Sequence, residues 1–490
     1  MLAQLQQQLL ERDRQIQLLA LKNQKLTHEL AALKRLRFGR KAESLSVEQR
    51  SLFEEDLDQD LAAITAELAP DLPEASARKP RPRAGRQPLP AHLERVEVRH
   101  EPEQCTCGQC QSTLTKIGED VSEQLDIEPS RFFVIRHIRP QYACRQCETI
   151  TAAPVSPTVI DGGMAAPGLL AWAAISKYLD HLPLYRLEQI AARQQVILSR
   201  STLSEWIGRI GVALQPLAHR LSEKLLQQSS LHADETPVQQ LDPGQGKTKR
   251  AYLWAYRSND LSGGPPIVVF DYQTSRSGAH AGRYLQGWRG ELMVDDYSGY
   301  KALFAEGIVE LGCWAHARRK FFDLQVASPH PVATQALQRI AELYALEAQA
   351  NSRSANERAA WRAEQSKPLL QALHAWLIQQ RTSAANGGAL AKAIDYTLRR
   401  WPALVRYADS GTLPIDNNPV ENAIRPIALG KKNWLFAGSE RAGKRAAAIQ
   451  SLLITAKLNG LEPATWLKET LEKLPVWPNS RIDELLPLRD

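Results

Sequence analysis

Between Ser229 and His316 the chain leaves a helical texture and enters five short runs: "SSLHADETPVQQL", "RAYLWAYRS", "PIVVFDYQT", "GELMVDDYSGY" and "IVELGCWAH". Their lengths, β-branched content and intervening turn residues are those of strands in one central sheet. Helical patterning resumes for about 80 residues, from Arg319 to Tyr407, in "QALQRIAELYALEAQA", "KPLLQALHAWLIQQ" and "ALAKAIDYTLRRW". A sheet flanked by helices on both sides in sequence makes this an α/β protein. At 490 residues it is too long for one core, and about three domains are expected.

The formal charge of +7 is a modest excess of base, which favours anionic partners, nucleic acid first among them. No apolar run approaches the roughly 20 residues that span a bilayer, and the polar, helical start resembles no secretory signal, so a cytoplasmic location without a membrane partner is expected. Six cysteines are too few for a disulfide scaffold. Four fall in two Cys-x-x-Cys pairs, Cys107 with Cys110 and Cys144 with Cys147. The intervening "EQLDIEPSRFFVIRHIRPQYA" alternates as a β-hairpin does. Two knuckles joined by strands supply four thiolates for a structural Zn2+, a zinc ribbon over residues 92–155. Cys105 could substitute for Cys107, but the two-residue spacing favours Cys107. Redox chemistry at one pair is the rival reading.

Residues 2 to 37 carry a heptad with Leu2, Leu9, Ile16, Asn23 and Leu30 at a, and Leu5, Arg12, Leu19, Leu26 and Leu33 at d. A buried Asn at one a position fixes register and favours a parallel dimer, so residues 1–45 are expected to be a coiled coil holding a homodimer or higher oligomer. The alternative is a lone amphipathic helix docked on its own domain. Residues 46–91 turn acidic, then proline-rich and basic in "ARKPRPRAGRQPLP", the composition of a linker. Its arginines suit a minor groove or equally a solvated tether. Within residues 156–227, "LYRLEQIAARQQVILSRSTLSEWIGRIG" reads as a helix-turn-helix, with Ser199 or Ser201 capping a second helix that starts near Arg200. Two packed helices with no DNA contact are the alternative.

Acids on strands need a reason, because Asp is depleted there. Asp234 sits in or at the end of the first strand of the sheet, where Pro237 is expected to limit central pairing. Asp295 ends an apolar strand, and Asp296 starts the turn. Hard cations such as Mg2+ take carboxylate oxygens. Two strand-end aspartates joined by a helix-borne glutamate would hold two Mg2+ ions, the arrangement suited to in-line phosphoryl displacement. A turn or cap role is the bland reading of each acid alone. Glu421, in "DNNPVENAIRPIALGKKNW", has such a reading too: with Asn418 as N-cap, Pro419 falls at N1 and Glu421 at N3, as in a capping box.

Taken together, "HADETPV", "VDDYSGY", "CWAHARRKFFD" and "DNNPVENAIRPIALGKKNWLFAGS", with "IGEDVSEQLD" between the cysteine pairs and "RLRFGRKAES" after the heptads, resemble the insertion sequence 66 family of bacterial transposases. The resemblance runs over nearly the whole chain. It implies an RNase H-like mixed-sheet catalytic core over residues 228–318 and 408–460, interrupted by an all-helical insertion at 319–407, with a C-terminal tail at 461–490. It places the acids of a DDE triad on Asp234, Asp295 and Glu421, as ligands of two Mg2+ or Mn2+ ions. Asp296 takes the variable place beside Asp295, and the two acids could be interchanged. Cys313 and His316, in a Cys-x-x-His spacing, resemble a motif found near the second acid in several DDE families, where the role is structural or DNA-contacting at best and a satisfied core pair is the simpler reading.

The implied chemistry is DNA cleavage at element ends and strand transfer into double-stranded target DNA, with no covalent protein intermediate. Arg425, one turn beyond Glu421, would steady that carboxylate or meet a phosphate. Lys431, Lys432 and Arg200 would contact the DNA backbone, and Trp434 would stack on a base or pack in the core. The resemblance also implies small companion proteins of the same element and a nucleoid-associated location. The rival functions are a metal-dependent nuclease that cuts without joining and a DNA-binding regulator with a vestigial core. The intact acids argue against the regulator.

Overall fold

A computed structural model describes residues 89–101, 109–128, 131–242, 247–328 and 330–489. The expected coiled coil at 1–45, nearly all of the 46–91 linker, Cys105 and Cys107 lie outside the described residues.

The first unit is a small sheet of β1 (Arg95–Arg99), β2 (Thr115–Glu128), β3 (Arg131–Ala143) and β4 (Ile150–Ala152). β2 and β3 form the long antiparallel hairpin expected between the cysteine pairs, with β1 parallel and β4 antiparallel to β3. Leu125, Phe132 and Val134 are buried near the hairpin tip and join the main core. Cys110, Cys144 and Cys147 lie at the other end, about 30 Å away by strand rise.

Four helices follow: α1 (Pro167–Tyr178), α2 (Leu184–Ala192), α3 (Arg200–Ala213) and α4 (Gln215–Leu225). The Leu125 amide donates to the Met164 carbonyl and the Ala166 amide returns to Leu125, so the hairpin is stitched to the start of α1. Ser199 caps α3 by accepting from the Thr202 amide at 3.1 Å, as the sequence led us to expect.

The central sheet comprises β5 (Ser230–Asp242), β6 (Lys247–Ser258), β7 (Val268–Gln273), β8 (Glu291–Val294) and β9 (Val309–Gly312), in the order β7-β6-β5-β8-β9. β6 is antiparallel to both of its neighbours, whereas β5, β8 and β9 are mutually parallel. The short helices α5 (Gly278–Tyr284) and α6 (Lys301–Ala305) serve the connections. Six helices then form a separate core on the β8–β9 side: α7 (Trp314–Ala327), α8 (Pro331–Ala350), α9 (Ala355–Trp361), α10 (Lys367–Ser383), α11 (Ala389–Arg399) and α12 (Trp401–Val405). Trp314, Phe321, Leu343, Leu373 and Ile394 fill it, and Met293 and Leu311 join it to the sheet. Arg362 is fully buried there, paired with Glu347 at 2.5 Å and donating to the carbonyls of Tyr407 and Leu413 at 2.9 Å.

The chain returns through α13 (Asn418–Trp434), α14 (Glu440–Leu458) and α15 (Pro463–Lys473). Ser451 and Thr455, one turn apart on α14, accept from the amides of Phe270 and Val268. The helix thus satisfies the outer edge of β7, which would otherwise expose unpaired donors. Among the described residues no helix is long and apolar enough to cross a membrane.

The mixed α/β architecture is as expected, but several details differ. The helical block begins at Trp314, not 319, because α7 starts directly after β9. Residues 461–490 were expected to be a tail; instead Leu467, Leu471, Leu485 and Leu486 are buried in the main core. β5 continues past Pro237 to Asp242, while its pairing to β8 stops at His232, within the limit on central pairing expected of Pro237. β8 pairs with β5 only from Ser230 to His232, so the missing amide at 237 interrupts no ladder on that side. Lastly, α3 buries Leu203, Ser204, Trp206, Ile207, Ile210 and both its glycines, which leaves its first turn as the accessible part.

Candidate active site

The register of the sheet brings the expected acids to one level. His232 of β5 pairs with Met293 of β8, the last pair of that ladder; Asp234 stands two residues further along β5 and Asp295 just beyond the end of β8. Parallel neighbours lie about 4.8 Å apart, and residues at one level share a face. On the far side of β8, Val294 pairs with Gly312, so Cys313 falls at the same level again. The third acid, Glu421, arrives on the first turn of α13.

Electrostatics report the convergence. Burial, the neighbouring Glu235 charge and the charges of Asp295 and Glu421 push the Asp234 carboxyl up to about 8, against one favourable hydrogen bond from the Glu235 amide. Asp295 accepts from the Tyr297 amide at 2.8 Å, a local turn that holds its carboxylate at the strand end. Glu421 Oε1 is buried with no hydrogen-bond partner. Asp296, the candidate for interchange, is engaged elsewhere: Arg400 reaches it at 3.0 Å and Lys301 at 3.3 Å. Arg400 also pairs with Glu310 at 2.5 Å. These contacts favour Asp295 as the member of the acid cluster.

Three features of the site were not legible in the sequence as tertiary contacts. The N-cap of α13 is Asn417, not Asn418, and it makes no side-chain cap, so the capping box expected at Glu421 does not form. The buried Asn417 side chain instead crosses to the sheet. Its Nδ2 donates to the Ala233 carbonyl at 2.9 Å and its Oδ1 meets His232 Nδ1 at 3.0 Å. Burial pulls His232 down to about 4, so the imidazole is neutral and donates through Nδ1. The Asn417 amide also donates to Cys313 Sγ at 3.2 Å. One asparagine therefore ties the start of the Glu421 helix to the residue before Asp234 and to the end of β9.

Second, Asp416 accepts from the Asn418 amide at 3.0 Å and from the Tyr344 hydroxyl at 2.9 Å, linking α13 to the insertion. Third, Glu235 is buried beside Asp234 but is occupied by Arg276 at 2.7 Å and the Tyr300 hydroxyl at 3.0 Å. Arg276 is stacked 3.9 Å from the centre of the Tyr297 ring. Burial raises the Glu235 carboxyl, and Arg276 opposes that rise. A run such as "DNN" signals a polar clamp, but nothing local says which strand it will grip.

The other expected site residues are spread more widely. Arg425 is exposed one turn beyond Glu421, and Lys432 is exposed near the end of α13. Lys431 donates to the Pro237 carbonyl at 3.1 Å, and Trp434 packs partly buried against the core between α13 and β5–β7. Arg200 pairs with Glu188 of α2 at 3.1 Å, away from the acids. In the ribbon, Cys110 Sγ lies 3.3 Å from Cys144 Sγ and 3.9 Å from Cys147 Sγ. Tetrahedral Zn–S bonds of about 2.3 Å put sulfurs about 3.8 Å apart, so the three described thiols are gathered as a zinc would gather them.

Known proteins give these clusters a context. Residues 162–445 match the model described as "Transposase IS66 family", more than half of the chain. The chain belongs to the IS66 transposase family. Residues 104–148 match the zinc-finger binding domain of IS66 transposases, 25–98 the "Transposase C of IS166 homeodomain" model, and 451–488 the IS66 C-terminal element. Similar full-length relatives come from Sinorhizobium fredii (strain NBRC 101917 / NGR234). Its uncharacterized protein y4qI is 39% identical over 479 residues, covering 94% of this chain and 88% of the relative. Its uncharacterized protein y4jD is 38% identical over 467 residues, covering 92% and 91%. IS66 membership implies a transposase role and a DNA partner, and the finger match supports a structural Zn2+ held in part by Cys110, Cys144 and Cys147.

Proposed function

We propose that this IS66 transposase cleaves the ends of its element and joins them to target DNA at the Asp234–Asp295–Glu421 cluster, within a core of RNase H-like topology. The observation that carries the reading is the convergence itself. Acids from β5, β8 and α13, 187 residues apart at the extremes, lie close enough for Asp295 and Glu421 to raise Asp234. Repelling carboxylates with an orphaned buried oxygen on Glu421 fit a hard divalent cation, and two Mg2+ or Mn2+ ions would be held by Asp234, Asp295 and Glu421. Such ions, when bound, stabilise the charge that develops on the attacking and leaving oxygens of an in-line displacement.

The chain's own residues do the rest. Glu235, satisfied by Arg276 and Tyr300, is kept out of the ligand set. Asn417 positions the Glu421 helix against β5. Arg425 and Lys432 present positive charge along α13, where phosphates of an end duplex would run. Water displaces the 3′-oxygen from phosphorus at the element end; the freed 3′-hydroxyl then attacks a target phosphodiester and releases a second 3′-oxygen. A dimer through the N-terminal heptads would bring two ends together, and small companion proteins of the element would join the complex on the bacterial nucleoid.

Incubating the full chain with Mg2+, end-sequence duplexes and plasmid target tests the reading by sizing products. Nicks and strand-transfer joints are expected, both lost in Asp234→Asn. Nicks without joints would reduce the activity to that of a nuclease. Full activity in Asp234→Asn would remove the acid cluster from the chemistry.

A further inference from the structure

Beside the acid cluster lies a second group of ligating atoms with different chemistry. Cys313 Sγ, one ring nitrogen of His316 and a carboxylate oxygen of Glu421 all lie within 4.8 Å of one another. Cys313 is the N-cap of α7 and His316 stands three residues on, so both side chains face the α13 N-terminus. His316 Nδ1 and Glu421 Oε1 approach to 3.7 Å, too far for a hydrogen bond. Both atoms are buried, and neither has another hydrogen-bond partner. A satisfied core pair would not leave two buried polar atoms unpaired, because each forfeits its hydrogen bonds to water without replacement.

We propose that Cys313, His316 and Glu421 form a Zn2+ site that shares Glu421 with the acid cluster. The donor set selects the metal: thiolate and imidazole suit a borderline-soft ion and are poor partners for Mg2+. Three protein ligands leave a fourth position open, as in exchangeable rather than closed structural zinc sites. His316 and Glu421 are 27% and 35% exposed at their side chains, although the facing Nδ1 and Oε1 atoms are themselves buried. On binding, the Cys313 thiol releases one proton to water and its sulfur becomes a ligand. The Asn417 amide, already directed at Cys313 Sγ at 3.2 Å, stabilises the resulting thiolate. Asp416 is near but is spent on Asn418 and Tyr344. Occupancy of this site holds Glu421 toward α7, so Zn2+ here and the paired hard cations draw on one carboxylate. This competition rests on the assignment of Glu421 to the acid cluster; the Zn2+ site itself does not.

The experiment uses the full chain with its ribbon filled by one equivalent of Zn2+, then titrated with Co2+. Wild type is expected to take one further equivalent with a thiolate-to-cobalt charge-transfer band. Cys313→Ser should lose the band, and His316→Ala should weaken binding at least about 10-fold. Far-UV circular dichroism checks that each variant is folded, and His316→Ala decides if Cys313→Ser is not. Asp234→Asn should keep the band; its loss there, or its persistence in folded Cys313→Ser, overturns the site. Excess Mg2+ should lower the apparent Co2+ affinity in wild type and not in Asp234→Asn, and an unchanged wild-type affinity overturns the sharing. Because the readout is spectroscopic, absence of DNA cleavage would sink the proposed function without touching this result.

Discussion

The zinc ribbon and the acid cluster, a proposed site for hard cations, are built on opposite principles. In the ribbon, ligands come in pairs three residues apart, and one hairpin brings Cys110 to Cys144 and Cys147. At the acid cluster each acid is solitary in sequence, and only sheet register and the return of α13 across the insertion bring them together. The ribbon is a local construction whose stability depends on its ion. The acid cluster is held by a large core that folds around mutually repelling charges. Metal should therefore be a structural necessity in the first region and a relief of strain in the second.

Removing zinc is the severest test of that contrast. Structural zinc contributes on the order of 10 kcal/mol to small domains, so chelation should abolish hydrogen-exchange protection at the cysteine end of β2–β3. Protection in β5 and β6 should persist. Simultaneous loss in both regions would erase the distinction. Next come the acids: Asp234→Asn and Glu421→Gln should each lower Mg2+-dependent nicking by about 10³-fold, with little loss of stability, as gel assays and urea titrations would read.

Third is Asn417→Ala, which strands the Ala233 carbonyl and His232 and should cost about 2–4 kcal/mol in urea unfolding. A neutral result would mean that α13 is placed by other contacts. A smaller effect is expected from pH. In the unfolded chain Asp234 ionises near 3.8, but in the metal-free fold near 8. Between those values the fold holds a proton that the unfolded chain lacks. This contribution is complete below pH 3.8 and is lost as pH rises through about 8, with a slope of at most about 1.4 kcal/mol per unit. Asp234→Asn or added Mg2+ should flatten the slope, which thermal melts would show. The smallest effect is expected for Asp296→Asn: nicking within about 10-fold of wild type, because its carboxylate serves Arg400 and Lys301.

These expectations also mark what the sequence made legible. Asp234 lies within β5 and not at a strand end. The hairpin between the cysteine pairs, the five strand segments of the central sheet and Asp295 at the end of β8 could be read from alternation and spacing, because each depends on neighbours in the chain. The cap at Glu421 was misread for the same reason. A proline-started capping box is a local rule, whereas Asn417 is claimed by Ala233 and His232, 184 and 185 residues away. Arg400 is a similar case: in sequence it ends a helix of the insertion, yet it decides which of two adjacent aspartates is left for the acid cluster.

The long β5 strand has a mechanical consequence. At its start Asn417 fastens α13 beside Asp234; further along, Lys431 reaches the Pro237 carbonyl, and Ala437 bonds on both sides of Gln240. Helix and strand run alongside each other like a rod clipped to a rail at both ends. The 17 residues of α13 measure about 25 Å, and the stretch of β5 from Ala233 to Gln240 about 23 Å, so helix and strand segment are of similar length. These contacts tie the helix to the strand near both of its ends. Motion required by the proposed strand transfer is then expected of the β8 turn, the insertion or the DNA rather than of the tie between β5 and the start of α13.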